Sequence, residues 1–303
     1  YLLDTGRERY ALRLKPARQA QLLPSAHAIE REYRVQSALE HTGVPVARVY
    51  GLCEDEQVIG RTFYVMDYVE GRIFWDPALP DLTGVERGAI YAELVRVIAE
   101  LHGVDVAAVG LSDYSKPGNY LQRQVERWTK QYQASATQTI EEMDRLIEWL
   151  PRNIPEEQPE VRLVHGDYRI DNVIFHPSEP RILAVIDWEL SSLGHPLADF
   201  AYFLMNWHIT PGAMRGLAGR DLEALGIPSE AACIASYEKN IGRRIAGNWN
   251  FYLTYNLFRL AGIIQGIVKR AEIGTASSTR AKDYAALVRP LAQLGWAVAG
   301  RVA

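Results

Sequence analysis

The chain has 303 residues, of which 48% are hydrophobic and 23% are charged, so it can bury one large core or two unequal ones. Its formal net charge of −4 gives no reason to expect nucleic acid or an anionic membrane as a partner, because both call for a concentrated basic surface. The two cysteines exclude a disulfide framework and predict a cytoplasmic location, and nothing in the sequence indicates an oligomeric state.

The beginning of the chain predicts a small antiparallel sheet and one helix. Residues 1–3 and 10–14 alternate like the strands of a hairpin around a turn at residues 4–6. A helix is predicted from about Ser25 to Glu40, and strands are predicted over residues 46–51 and 61–68. The chain opens with YLLDTG rather than Met, so we expect it to start inside a strand of a sheet that has about five strands when complete.

The remainder predicts a large, mainly helical region. Thr83 and Glu86 have the spacing of a capping box, followed by an apolar stripe from Ile90 to Leu101. Two further stripes predict helices that end before Pro151 and Pro155: Leu121, Val125, Trp128 and Tyr132, then Ile140, Met143, Ile147 and Leu150. The later helices are predicted near Leu197–Trp207, Ser229–Gly242, Asn248–Arg270 and Thr279–Val302. The longest apolar-rich run, residues 200–214, is too short to cross a membrane.

The segment HGDYRIDN, His165 to Asn172, contains the side chains that phosphoryl transfer needs. Such transfer requires a carboxylate that orients the acceptor hydroxyl and oxygen ligands that hold Mg²⁺ on the phosphates. Asp167 fits the first role, while Asn172 and Asp187 fit the second, because Mg²⁺ prefers oxygen and takes few ligands from the protein. Short apolar runs on either side of Pro177 and Pro180 predict a hairpin that brings Asp187 back beside Asn172.

These motifs resemble those of aminoglycoside phosphotransferases and choline kinases in the protein-kinase-like superfamily. The segments LLPSAHAIEREYRV, HGDYRIDN, IDWELSSLGHPLAD and NLFRLAGIIQGI are most similar to bacterial phosphotransferases related to the kinase domain fused to acyl-CoA dehydrogenases. The resemblance covers nearly the whole chain. It implies an α+β, bilobal protein-kinase-like fold, with an N-lobe at residues 1–68, a C-lobe at residues 69–303, and ATP and Mg²⁺ as cofactors. We do not find the glycine-rich phosphate loop of such N-lobes in this sequence.

The resemblance also implies a nucleotide site. The strand YALR matches the kinase strand whose basic residue pairs with the phosphates, which indicates Arg13, with Lys15 on the same face as the alternative. A helix glutamate should pair with this cation, and Glu32 fits the family spacing better than Glu30. Adenine is expected against the segment that joins the lobes, at the backbone amides of Asp67, Tyr68 and Val69.

Three polar residues near the catalytic segment have structural alternatives. Arg169 has the position of a phosphate-contacting lysine in many protein kinases, but a salt bridge to Asp171 accounts for it equally well. His165 is interpreted as a hydrogen-bonding support of the loop. Asp199, in the segment GHPLAD, resembles an acid that braces the backbone of the catalytic loop and is not predicted to be catalytic.

The short spacing after Asp187 predicts a small acceptor. Residues 188–198 are too few for the long activation segment with which protein kinases bind a polypeptide. Aromatic residues between Tyr202 and Phe258 would line an acceptor pocket or form the C-lobe core. The apolar-to-basic composition of residues 249–270 argues against a polycationic aminoglycoside, whereas Lys269 and Arg270 would suit a hydroxyacyl-CoA or hydroxy acid.

Three functions therefore remain open. The first is an ATP- and Mg²⁺-dependent kinase that phosphorylates the alcohol group of a small metabolite. The second is a nucleotide-binding pseudokinase or scaffold without transfer activity. The third is an aminoglycoside phosphotransferase. A protein kinase is disfavoured by the short span after Asp187.

Overall fold

A computed structural model of the chain describes residues 1–16, 28–115, 118–156, 160–212, 214–245, 248–274 and 284–301. Within these ranges the strands are β1 (Leu2–Asp4), β2 (Arg9–Leu14), β3 (Val49–Cys53), β4 (Phe63–Asp67), β5 (Arg162–Val164), β6 (Val173–Phe175), β7 (Ile182–Val185) and β8 (Ser192–Gly194). The α-helices are α1 (Ile29–Leu39), α2 (Glu56–Ile59), α3 (Gly84–Gly103), α4 (Tyr120–Ser135), α5 (Glu141–Arg152), α6 (Pro196–Leu204), α7 (Leu222–Leu225), α8 (Glu230–Ile241), α9 (Trp249–Glu272) and α10 (Ala285–Ala299). The predicted first residues of α1 and of the last helix, 25–27 and 279–283, lie outside the described residues, as does Val302.

Strands β1 to β4 form an antiparallel sheet in the order β1-β2-β4-β3. The predicted hairpin turn is present, with Gly6 in the left-handed region at a φ of 78°. Strands β2 and β4 pair so that Arg13 lies opposite Tyr64, and these two side chains share one face of the sheet. Helix α1 packs on that face, where Ile29 joins Val49 and Tyr64 in a buried cluster. The sheet thereby fixes the position of Arg13 relative to α1.

The apolar stripes predicted the long helices with small errors. Helix α3 begins with the expected capping box, because Thr83 and Glu86 each accept a hydrogen bond from the backbone N–H of the other. The stripe predicted for α5 is wrong at Ile147, which is only half-buried. The neighbouring Leu146 is buried instead, together with Met143 and Leu150. Pro151 does not stop α5 but lies inside its last turn, where a proline removes one hydrogen bond without preventing the turn. No described helix is long and apolar enough to span a membrane.

The contacts divide the chain into two compact units. The first unit comprises residues 1–116, 162–193 and 223–243 and includes the four-stranded sheet, α1 to α3, the catalytic segment and α8. In this unit α8 packs against α3. This division follows from contacts between residues, whereas the division into lobes at residue 68 follows from the resemblance to kinases. The division into lobes stays a prediction.

The second unit comprises residues 117–161, 194–222 and 244–303. Its centre is α9, which packs against α4, α6 and α10 and is buried at every residue from Phe251 to Gly262. Most of the late aromatic residues belong to this core, since Tyr202, Phe203, Trp207, Phe251, Tyr252, Tyr255 and Phe258 are all buried. For these rings the structure supports a role in the core rather than a position in the wall of an acceptor pocket.

Candidate active site

The loop between β5 and β6 places Asp167 and Asn172 side by side. After β5 the chain turns at Gly166, whose φ of 83° is left-handed. A Cβ built at Gly166 would lie 2.5 Å from the Leu190 carbonyl oxygen, so the turn requires glycine for space as well as for conformation. A single turn of 3₁₀-helix at Ile170–Asn172 then brings the chain to β6.

Asn172 is oriented by hydrogen bonds to Asp167. Its Nδ2 donates to the Asp167 Oδ2 at 2.9 Å and to the Asp167 main-chain carbonyl at 2.8 Å. Because the amide hydrogens are directed at Asp167, the Oδ1 of Asn172 is the atom suited to binding a metal ion. At this contact Asn172 is the hydrogen-bond donor and Asp167 is the acceptor.

His165 supports this loop from inside. Its Nδ1 accepts a hydrogen bond from the Asp167 backbone N–H at 3.2 Å, and its Nε2 lies 3.0 Å from the Ile186 carbonyl. This pattern assigns the hydrogen to Nε2, which donates to Ile186. The ring thus joins the segment around Asp167 to the one around Asp187, in agreement with the supporting role predicted for it.

The hairpin of β6 and β7 brings Asp187 back to Asn172, as the sequence predicted. Val173 pairs with Val185, and the Ile186 N–H donates to the Asn172 carbonyl at 2.9 Å. Asp187 is the next residue, and its backbone is left-handed, with φ 68° and ψ 56°. A side chain other than glycine is strained there by about 1 kcal/mol, a cost typical of functional positions.

Arg13 connects the helix acid to Asp187. Its Nε lies 3.1 Å from the Glu32 Oε2 and its Nη2 lies 3.2 Å from the Glu32 Oε1, which makes a bidentate pair. The same Nη2 is 3.8 Å from the Asp187 Oδ1. Glu32 is buried and also accepts a hydrogen bond from the Tyr64 hydroxyl at 3.3 Å. Burial tends to lower the pKa of Arg13, but the charge of Glu32 and its hydrogen bonds to Arg13, together with the nearby Tyr64 and Asp187, raise the pKa.

A second cation–acid pair lies beside the first. Lys15 Nζ donates to the Glu30 Oε1 at 2.6 Å. Burial tends to raise the pKa of Glu30, but this hydrogen bond, a backbone hydrogen bond and the charge of Lys15 together lower it. The sequence indicated Arg13 with Lys15 as the alternative, and it favoured Glu32 over Glu30. The structure distinguishes the two pairs, because the Arg13 pair has a buried acid and a contact with Asp187, whereas the Lys15 pair has a more exposed acid. Arg13 and Glu32 are therefore the stronger candidates.

The predicted adenine contacts are only partly available. The Asp67 N–H donates to the Arg48 carbonyl at 2.9 Å, and the Tyr68 N–H lies 3.4 Å from the Arg9 carbonyl. Both amides are thus engaged within the sheet, because β4 continues its pairing up to them. Of the three predicted amides, Val69 is the one for which an adenine contact through the N–H stays a prediction.

Arg169 lies between two acids. Its Nε is 3.4 Å from the Asp167 Oδ1 and 3.5 Å from the Asp171 Oδ1, and its side chain is partly exposed. The salt bridge to Asp171 that the sequence allowed is present, and the phosphate contact stays a prediction. Asp199 is buried in the second unit.

The donor set fits Mg²⁺ better than a transition metal. The described residues contain no group of three or more His, Cys, Asp or Glu that could hold a metal ion. The candidate site offers one carboxylate, Asp187, and one amide oxygen, Asn172. A hard cation that keeps several water ligands needs no more from the protein.

Comparison with known proteins decides the family. The sequence profile of the APH phosphotransferase enzyme family matches residues 1–232, which include every candidate for catalysis, nucleotide binding and metal binding named above. The chain belongs to this family. Its α+β, kinase-like fold is therefore established, and its resemblance to phosphotransferases is confirmed.

Individual relatives agree with this assignment. The chain is 45% identical to acyl-CoA dehydrogenase family member 10 of Mus musculus over 98% of its own length, but spans only 28% of that protein. A crystal structure of a Ralstonia eutropha protein, provisionally assigned as an aminoglycoside phosphotransferase, is 55% identical with a TM-score of 0.93, covering 100% of this chain and 89% of that one. The aminoglycoside phosphotransferase APH(4)-Ia, solved with AMP-PNP and hygromycin B, shares the fold, with 17% identity, a TM-score of 0.63, and coverage of 98% and 88%.

Proposed function

We propose that this phosphotransferase is an ATP- and Mg²⁺-dependent kinase that transfers the γ-phosphoryl group to an alcohol group of a small metabolite. The observation that supports it most is the arrangement of Asp167, Asn172 and Asp187 in one loop and hairpin, with Arg13 beside Asp187. These are a carboxylate, two oxygen ligands and a phosphate-binding cation, the set that phosphoryl transfer uses. The APH(4)-Ia structure was solved with the ATP analogue AMP-PNP, which supports ATP as the donor.

Each residue has a role in this proposal. Asp167 accepts a hydrogen bond from the acceptor hydroxyl and orients its oxygen toward the γ-phosphorus. Arg13, held by Glu32, binds phosphate oxygens and stabilises their negative charge. Asn172 and Asp187 would hold Mg²⁺, which neutralises phosphate charge when bound. The bond from Asn172 to Asp167 keeps the acid side by side with the metal ligands.

The acceptor we favour is a hydroxyacyl-CoA or a hydroxy acid. The similarity to acyl-CoA dehydrogenase family member 10 supports a substrate related to acyl-CoA metabolism. An aminoglycoside is the second candidate, because of the Ralstonia eutropha protein.

The test is a screen for ADP release with four acceptor classes: hydroxyacyl-CoAs, hydroxy acids, amino alcohols and aminoglycosides. Asp167→Asn should lower turnover of the preferred acceptor by about 10² to 10⁴-fold, the usual effect of removing a general acid–base group. The control is Asp171→Asn, which removes the other acid beside Arg169 from the same loop and should keep turnover within about fivefold.

Two outcomes would contradict the proposal. Turnover in Asp167→Asn at the level of the wild type would exclude the catalytic role of that carboxylate. Thermal stabilisation by Mg·ATP without transfer to any acceptor class would instead indicate a nucleotide-binding pseudokinase.

A further inference from the structure

Arg31 in the first turn of α1 joins this helix to two loops that are distant in sequence. Its Nη1 donates to the Tyr114 carbonyl at 2.8 Å, and its Nη2 lies 3.4 Å from the Ser191 carbonyl. Its guanidinium carbon is 4.1 Å from the centre of the Tyr114 ring, which is a close cation–π contact. The next residue along α1 is Glu32, the partner of Arg13.

Tyr114 continues this connection toward Asp187. Its hydroxyl lies 2.7 Å from the Ser191 Oγ, and the Ser191 Oγ donates to the Trp188 carbonyl at 2.6 Å. The Tyr114 hydroxyl also lies 3.3 Å from the Arg31 carbonyl, so its one hydrogen can reach either that carbonyl or the Ser191 Oγ. Tyr114 and Ser191 are both buried, where water competes little for such bonds. The chain of hydrogen bonds ends at the residue that directly follows Asp187.

The same two loops are joined again one residue further on. Ser115 Oγ accepts a hydrogen bond from the Leu193 N–H at 2.8 Å and lies 2.7 Å from the Ser192 Oγ. The segment after Asp187 is therefore tied to residues 114 and 115 at successive positions. Through the hydrogen bonds of Arg31, helix α1 is joined to both of these loops.

We infer that Arg31, Tyr114 and Ser191, here called the α1 anchor, are positioning residues for the phosphate-binding pair Arg13–Glu32. The inference rests on the proposed function. Arg13 contacts Glu32 on α1 and Asp187 on the hairpin, so its direction depends on the distance between these two elements. If α1 moved away, Arg13 would be left with Asp187 alone and would neutralise a proposed metal ligand.

The anchor also explains how α1 keeps its position without a regulated segment. The short span after Asp187 has no room for an activation segment. The contact of Arg31 with the Ser191 carbonyl does not depend on any modification. The position of Glu32 is thus built into the folded chain.

Helix α1 offers a matched control in Arg34, one turn further on. Its guanidinium is 6.0 Å from the same Tyr114 ring, donates to the Gly110 carbonyl at 2.8 Å and pairs with Asp113. Arg34 thus holds α1 to the loop before Tyr114, and in the described part of the chain it contacts Gly110, Asp113 and the Tyr114 ring rather than the segment after Asp187. Replacing Arg34 removes a similar charge and a similar helix–loop contact.

The experiment compares two ligands by calorimetry with the full chain. Mg·AMP-PNP has phosphates for Arg13 to bind, whereas adenosine has none. Arg31→Ala should weaken Mg·AMP-PNP binding by about tenfold and leave adenosine binding within about twofold, since it removes charged hydrogen bonds that join α1, and with it Glu32, to the loops of Tyr114 and Ser191. Tyr114→Phe, which keeps the ring, should weaken Mg·AMP-PNP binding by about threefold. Arg31→Lys should restore part of the loss, and Arg34→Ala should bind both ligands like the wild type.

The outcomes separate this inference from the proposed function. If Arg31→Ala weakened the binding of both ligands equally, the anchor would be a general stabiliser of the fold. If it weakened the binding of neither ligand, the anchor would have no effect on the Arg13–Glu32 pair. Each result overturns the inference. If one of these two results were found and Asp167→Asn still abolished transfer, the inference about the anchor would fail and the proposed function would remain supported. A wild type that binds neither ligand overturns both.

Discussion

At the scale of single residues, position in the fold separates two chemically similar pairs. Arg13 pairs with Glu32, and Lys15, which directly follows the last residue of β2, pairs with Glu30 on the same helix. The sequence indicated Arg13 and Glu32 by resemblance alone, because the physical distinction between the pairs depends on Asp187, a residue far along the chain. The buried acid, Glu32, is the one whose partner contacts the hairpin.

The two glutamates give a direct test. Glu32→Gln keeps the size of the side chain but removes the charge that orients Arg13, so turnover with Mg·ATP should fall by about 10- to 100-fold. Glu30→Gln alters only the more exposed pair with Lys15, and turnover should stay within about twofold. Steady-state kinetics of both variants measure the difference. Equal losses in the two variants would show that Arg13 has no special role.

At the scale of elements, local patterns were sufficient for most helices and strands. The capping box of α3 and the hairpin of β6 and β7 depend on residues close in sequence, and both formed as predicted. The short helix α2 was missed, because its four residues are too few for an apolar stripe and its signals are confined to the caps, Asp55 at the start and the left-handed Gly60 at the end. The contacts of Arg31 with Tyr114 and Ser191 join residues far apart in sequence, so no spacing rule could find them.

The turn at Gly166, before Asp167, can be compared with a turn of the same backbone conformation at Gly60. Gly166 and Gly60 both have a φ of 83°, but a Cβ at Gly60 meets no atom within 4 Å. Gly60→Ala therefore costs only the left-handed conformation, about 1 kcal/mol, and should lower Tm by about 3 °C. Gly166→Ala also collides with the Leu190 carbonyl, so its Tm should fall at least twice as far, with loss of turnover. Thermal unfolding of both variants decides this, and equal shifts would mean that the loop adapts.

At the scale of the molecule, the chain passes between the two units more than once. Residues 223–243 return to the first unit after the second has begun, and α8 packs there against α3. His102 of α3 and Tyr237 of α8 are buried at this contact, with the His102 Nδ1 2.7 Å from the Tyr237 hydroxyl. The sequence predicted α8 as a helix but not its partner, since an apolar face does not specify which surface it covers.

The two cysteines report on this arrangement. Cys233 lies in the buried face of α8, where burial raises its pKa to about 12, whereas Cys53 at the end of β3 is half-exposed. Because the thiolate is the reactive form, a disulfide reagent at pH ~8 should modify Cys53 quickly and Cys233 only as fast as the protein unfolds. Cys53→Ser should remove the fast phase, and Cys233→Ser should leave it unchanged. Rapid modification of Cys233 in the native protein would show that α8 does not stay packed on α3.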